Sequence, residues 1–83
     1  MISCRDFQSQ ALDQQIGLLS EHGSCVMSIR YYSYKVNLYL LGNFYIEVFY
    51  DHKKDVIEKI IPLDVHHSRI NFYTDQIRLP DSL

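Results

Sequence analysis

The fold is decided by residues 34–50, which read YKVNLYLLGNFYIEVFY. Two runs rich in β-branched and aromatic residues stand on either side of Gly42-Asn43, a pair typical of a tight turn. Apolar and polar residues largely alternate within each run, which is the period of a β-strand. The stretch therefore predicts a β-hairpin with strands at residues 34–41 and 44–50.

The same period of two continues on both sides of this hairpin. Breaks at Ser33 and at residues 51–55 separate two further strands, predicted at residues 25–32 and 56–62. Because short connections require antiparallel neighbours, the four strands are expected to form a meander.

Helices are predicted on either side of the strands. Ser3 and Asp6 resemble a capping box, and an apolar stripe with spacings of three to five follows, up to Gly23 as a left-handed stop. We therefore expect one helix over residues 4–21, with Gly17 marking close packing against the sheet. Ser68 is expected to cap a short C-terminal helix over residues 68–78. The 83 residues thus predict a single domain of the α+β class.

Strand register follows from the rule that directly opposed residues share a face. The apolar residues of the hairpin share one face only if Leu40 opposes Phe44, which makes residues 41–43 a three-residue loop. A two-residue turn would place Glu47 opposite Leu38, so the longer loop is favoured. The predicted core face then consists of Met27, Ile29, Tyr31, Val36, Leu38, Leu40, Phe44, Ile46, Val48 and Tyr50.

The fourth strand leaves two orientations open. Either Ile57 and Ile61 point inward and bring Lys59 with them, or Val56 and Ile60 point inward and bring Glu58. A lone inward charge protects an exposed sheet edge, so both orientations indicate an edge strand.

The face opposite the predicted core mixes aromatic rings with scattered charge. Interface cores favour Tyr and Phe over Lys and Glu, and a dimer would enlarge the small core of so short a chain. We expect a non-catalytic protein-binding or self-associating surface, including a homodimer formed through this face or an edge strand. Coverage by the C-terminal helix and a small-molecule or single-stranded nucleic-acid platform are the alternatives. The expected contact residues are Tyr39, Tyr45 and Phe49, with Arg30, Lys35 and Tyr32 around them.

Composition and motifs argue against other classes of function. The net charge of −2 gives no drive toward nucleic acid, no apolar run could span a membrane, and a reduced cysteine pair indicates the cytoplasm. Adjacent His66 and His67 would point apart and could not share one ion, and His22 with Cys25 lacks an orienting group. Neither an enzyme nor a metal or other cofactor is predicted.

Residues 34–39 (YKVNLY), residues 44–50 (FYIEVFY) and the later run at residues 75–77 resemble a group of small uncharacterised Bacteroidota proteins. The resemblance extends over about residues 23–79. It implies the helix-and-meander architecture and a bacterial cytosol. The group has no assigned activity, so the resemblance implies no role for any residue.

Overall fold

The computed structural model describes residues 2–64 together with His66, Ile70, Asn71 and Tyr73. The predicted α+β class and the four-stranded antiparallel meander are confirmed, because the strands form one sheet in the order β1-β2-β3-β4. The C-terminal helix predicted at residues 68–78 falls mainly on residues outside this description and stays a prediction. In chain order the elements are α1 Cys4–Gln8, α2 Leu12–His22, β1 Ser24–Tyr31, β2 Tyr34–Leu41, β3 Phe44–Asp51 and β4 Val56–Pro62.

Two helices stand where one was predicted. Ser3 caps α1 as expected, since its Oγ accepts a hydrogen bond from the Asp6 N–H at 3.1 Å. The Ser9 hydroxyl then donates to the Asp6 carbonyl at 2.7 Å and competes with helix continuation. Ala11 is extended (ψ 158°), and its N–H donates to the Gln14 side chain at 3.3 Å, which starts α2. A local serine contact therefore divides the apolar stripe into two short helices.

The two glycines of this region have roles that differ from those predicted. Gly17 is exposed, and a Cβ atom added there would meet nothing within 4 Å, so the expected close packing is wrong. Gly23 ends α2 in an extended conformation (φ −86°) and not in a left-handed one. A Cβ atom at Gly23 would lie 2.8 Å from the Leu19 carbonyl oxygen, so the position requires glycine for space.

The central hairpin turn contains two residues and not the predicted three. Leu41 pairs directly with Phe44. Gly42 takes a positive φ of 62° at the first central position, which is the pattern of a type II′ turn. Leu38 consequently stands opposite Glu47, the arrangement that the alternation argument disfavours.

This register divides the predicted core between the two faces of the sheet. We call them face A and face B. Face A carries Met27, Ile29, Tyr31, Tyr34, Val36, Leu38, Leu40, Tyr45, Glu47, Phe49, Asp51, Val56, Lys59 and Ile61. Face B carries Ser28, Arg30, Lys35, Asn37, Tyr39, Leu41, Phe44, Ile46, Val48, Tyr50, Ile57, Ile60 and Pro62.

Both faces are covered. On face B, Phe7 of α1 and Leu19 of α2 form one buried cluster with apolar strand residues such as Ile46. On face A, Tyr73, from the segment beyond β4, joins a second buried cluster. Glu47 is 0% exposed, and the Tyr73 hydroxyl donates to its Oε2 at 2.8 Å. The sheet is therefore the middle layer of the fold.

A bulge in β4 makes the orientation of this strand different from both predicted alternatives. Phe49 pairs with Lys59 and Tyr50 pairs with Ile57, which leaves Glu58 as the extra residue. The bulge allows Ile57 and Ile60 to lie on face B, while Lys59 and Ile61 lie on face A. Both isoleucines of face B pack in the same cluster.

Candidate functional site

The predicted interaction residues do not share one surface, so the aromatic face expected from the sequence is not formed. Tyr39, Arg30 and Lys35 lie on face B, whereas Tyr45 and Phe49 lie on face A. Phe49 is 1% exposed and belongs to the face A core, and Tyr39 packs against the face B cluster. Tyr32 is 87% exposed in the β1–β2 turn. The residues that remain together on one exposed surface are Arg30 and Lys35.

The outer edge of β1 presents backbone groups that the sheet does not use. Tyr31 and Tyr34 flank a two-residue turn, so they form a hydrogen-bonded pair. Hydrogen-bonded and non-hydrogen-bonded pairs alternate along an antiparallel ladder, so Ile29 also bonds toward β2. The N–H and C=O groups of Ser28 and Arg30 consequently point away from the sheet. Among residues 2–64, 66, 70, 71 and 73, no strand pairs with this side of β1, and we call it the open β1 edge.

Side chains along the open β1 edge leave it accessible. β1 is eight residues long and contains no proline, and most of its side chains are exposed, including the 44% exposed Val26. A bulge lies between Cys25 and Met27, so the regular part of the edge begins at Met27. Edges of this kind are where a further strand can pair.

The opposite edge of the sheet, on β4, carries protective features. The bulge at Glu58 interrupts its ladder, and Pro62 lacks an N–H at its end. Lys59 points onto face A, where its Nζ lies 4.6 Å from the centre of the Phe49 ring. The two edges are therefore unequal, and β1 is the one suited to pairing.

A cationic depression lies on face B beside the open β1 edge. Arg30 and Lys35 are direct cross-strand partners, and both are exposed. They form a non-hydrogen-bonded pair, the kind in which side chains are closer together. The depression has a volume of about 340 Å³ and is lined by Ser28, Ile29, Arg30, Lys35 and His52.

No carboxylate pairs with these two cations in the part of the chain that the structure describes. The ion pair of a lysine or arginine found there joins Lys54 to Glu58 at 3.5 Å, and His22 Nε2 lies 3.7 Å from a Glu21 carboxylate oxygen. Like charges placed directly opposite each other destabilise a sheet. The Arg30–Lys35 pair therefore provides two positive charges without an ion-pair partner among the described residues.

Tyr50 and the β3–β4 turn lie next to the depression, which His52 of this turn lines. The Tyr50 ring lies opposite Lys35 and contacts the His52 ring edge-on, with 5.4 Å between their centres. The Tyr50 hydroxyl donates to Asp55 Oδ1. This hydrogen bond, with partial burial and the charges of Asp55 and Asp51, raises the pKa of Tyr50 above 10.0. Asp51 Oδ1 accepts from the N–H groups of residues 53 and 54, which holds the turn in shape.

Ser28 and Asn37 extend the polar surface of face B beyond the cations. They are direct cross-strand partners, and the Ser28 hydroxyl donates to Asn37 Oδ1 at 2.5 Å. Because backbone groups of Ser28 and Arg30 face the open edge while their side chains lie on face B, edge and depression meet at the same two residues. The sequence places Arg30 and Lys35 on one face, whereas the position of His52 beside them depends on the register between β2 and β3.

A second depression of about 470 Å³ lies at the C-terminal end of α2. Its lining is Ile2, Leu18, Leu41, Gly42 and His22. His22 is the one charged or hydrogen-bonding side chain among these residues, and its side chain is exposed. Small-molecule sites combine an apolar lining with several converging polar groups. This depression has an apolar lining, but several polar groups do not converge among its lining residues.

The residues considered for catalysis or metal binding do not assemble among the described parts of the chain. Within residues 2–64, 66, 70, 71 and 73, no three His, Cys, Asp or Glu side chains are grouped to hold a metal ion. The backbone N–H of His66 donates to Asp64 Oδ1 at 2.9 Å, and His67 lies outside the description. Among the described helices, none is long and apolar enough to cross a membrane.

Comparisons with known proteins identified no relative of this chain. A scan of protein-family models and searches of curated proteins and of solved structures found no match. The function is therefore argued from the geometry of the edge and of the depression.

Proposed function

We propose that this chain is a non-catalytic protein-interaction module that takes up an extended segment along the open β1 edge, as a fifth strand of the sheet. One observation carries the proposal: β1 offers the outward backbone groups of Ser28 and Arg30, while the β4 edge is protected. In strand addition, backbone hydrogen bonds supply affinity and alternate side chains supply specificity.

The homodimer predicted from the sequence is one form of this interaction. Two β1 strands could pair antiparallel about a two-fold axis, since a strand edge is complementary to itself. The predicted aromatic dimer surface is replaced in this proposal, because Tyr45 and Tyr39 lie on opposite faces. Sedimentation velocity from 10 to about 500 μM measures self-association directly.

Amide exchange tests whether the edge is open. In the monomer, the amides of Ser28 and Arg30 should exchange rapidly, whereas those of Ile29 and Tyr31 should be protected by β2. Equal protection of all four amides in the monomer would contradict the proposal, since the edge would then be occupied within the chain.

Peptide addition tests whether the edge binds a strand. We use an uncharged eight-residue peptide, capped at both ends, with valine and glutamine at alternate positions. Binding should protect the amides of Ser28 and Arg30 and shift their NMR signals. Ser28→Pro removes one outward N–H and should abolish binding, whereas Ser28→Ala keeps the N–H and should bind like the wild type. Absence of binding to the wild type, or equal binding by both variants, would refute strand addition.

A further inference from the structure

The open β1 edge and the cationic depression are built from the same residues. Ser28 and Arg30 direct their backbone groups outward and their side chains onto face B. A residue paired with Arg30 in an added strand would also project onto face B, with its Cβ about 5 Å from that of Arg30. Lys35 lies on the same face in the next strand, within reach through its long side chain.

The charge in this region lacks an internal counterpart among the described residues. Arg30 and Lys35 stand directly opposite each other, and neither takes part in the ion pairs found there. An arriving carboxylate would relieve the repulsion between them. An arginine also receives a carboxylate through two parallel hydrogen bonds, which favours that geometry.

The intervening residues of an added strand would lie on face A, which favours apolar side chains. There β1 presents Met27 and Tyr31, which are half-buried, on either side of the buried Ile29. Side chains alternate between faces along a strand, so every second residue of the added segment would lie beside this apolar row. Apolar residues would bury surface there, and charged residues would lose hydration.

We propose that the segment bound at the open β1 edge is an acidic extended peptide, with carboxylates on alternate residues facing Arg30 and Lys35 and apolar residues between them. This inference rests on the proposed function and names its partner. The regular part of β1, residues 27–31, has Arg30 as its sole charged residue. A second copy of β1 would therefore add another cation to face B, and an acidic partner fits the site better than a second copy.

The experiment compares three capped eight-residue peptides that share valine at four alternate positions. The other four positions are glutamate, glutamine or lysine. Affinity is measured by NMR titration at low salt, following the amides of Ser28 and Arg30. The glutamate peptide should bind about tenfold more tightly than the glutamine peptide, and the lysine peptide should bind more weakly than both.

Substitutions separate the charge from the edge. Arg30→Gln combined with Lys35→Gln should bring the glutamate and glutamine peptides to within about twofold of each other, while binding to the glutamine peptide persists. Lys54→Gln is the matched control, because it removes one cation that is already paired with Glu58 outside the depression. It should retain the preference for glutamate.

The outcomes distinguish the two proposals. Equal binding of the three peptides by the wild type would overturn the acidic partner and leave strand addition intact. Failure of all three would overturn strand addition itself. An eight-nucleotide oligothymidylate serves as a polyanion without a peptide backbone. If it bound as tightly as the glutamate peptide, with the same loss in the double variant, the acidic-peptide proposal would also be overturned in favour of nucleic acid.

Discussion

Replacing Tyr73 by phenylalanine should destabilise the protein through its buried contact with Glu47. The Tyr73 hydroxyl donates to Glu47 Oε2 at 2.8 Å, where Glu47 is 0% exposed and Tyr73 is 4% exposed. Removing one partner of a buried hydrogen bond costs about 1–3 kcal/mol, because the acceptor left behind cannot recover a donor from water. We therefore expect a loss of about 2 kcal/mol in the free energy of unfolding.

Urea unfolding followed by circular dichroism measures this loss. The midpoint should fall while the slope m stays unchanged, and Tm should fall by about 10 °C for a chain of this size. Tyr45→Phe is the matched control, since Tyr45 lies on the same face but is 44% exposed. It should change the free energy by less than about 0.5 kcal/mol.

A double-mutant cycle assigns the effect to the contact itself. Combined with Glu47→Gln, Tyr73→Phe should cost less than it does in the wild-type background, with a coupling energy of about 1 kcal/mol. If Tyr73→Phe were as mild as Tyr45→Phe, the buried hydrogen bond would not hold Tyr73 on face A. That result would refute the account of how Glu47 is tolerated inside the protein.

Three other predictions concern local features. Gly17→Ala should stabilise the protein by about 0.5–1 kcal/mol in thermal unfolding, because the position is helical and has space for a Cβ atom. Gly23→Ala should destabilise the protein, because the added Cβ atom would contact the preceding helical turn. A stability change of the same sign for both variants would contradict this prediction. Tyr32→Asn should raise stability by about 0.5 kcal/mol, since Tyr32 has a φ of 58° that asparagine adopts more readily, and a decrease in Tm would count against strain there. The pKa of Tyr50 is raised in the folded state, so its hydrogen bond to Asp55 contributes fully to stability below about pH 10 and is lost as the pH rises through the folded-state pKa. The wild type should therefore have a higher Tm than Tyr50→Phe, and this difference should shrink above about pH 10. A difference in Tm that stays constant with pH would contradict this prediction.

Local sequence patterns were sufficient for the elements of the sheet. Ser33, Gly42 and residues 51–55 end strands because turn-forming or charged residues interrupt β-branched and aromatic runs. The strand bounds and the antiparallel order followed from those interruptions. Arg30 and Lys35 were also expected on one face, and they lie together on face B. The break between α1 and α2 was missed because the apolar stripe continues across it.

The alternation of apolar and polar residues does not determine the strand register here, because both faces of the sheet are covered. A strand with two buried faces carries apolar residues at odd and even positions, so the pattern no longer identifies the inward side. Glu47 adds to this ambiguity, because a carboxyl side chain opposite Leu38 is unexpected on a buried face. Its donor, Tyr73, is 26 residues away along the chain, and such a contact leaves no local signal.

The sequence alone thus determined where the chain extends, turns and coils, because those preferences depend on neighbouring residues. Only the tertiary structure decided which side chains of β3 and β4 share a face with those of β2, and with that what surrounds Arg30 and Lys35. The reason is physical: a one-residue change in the hairpin turn moves every side chain of β3 relative to β2 from one face to the other. With the two-residue turn, both buried clusters and the buried Tyr73–Glu47 hydrogen bond form together, and these contacts join residues far apart in the chain.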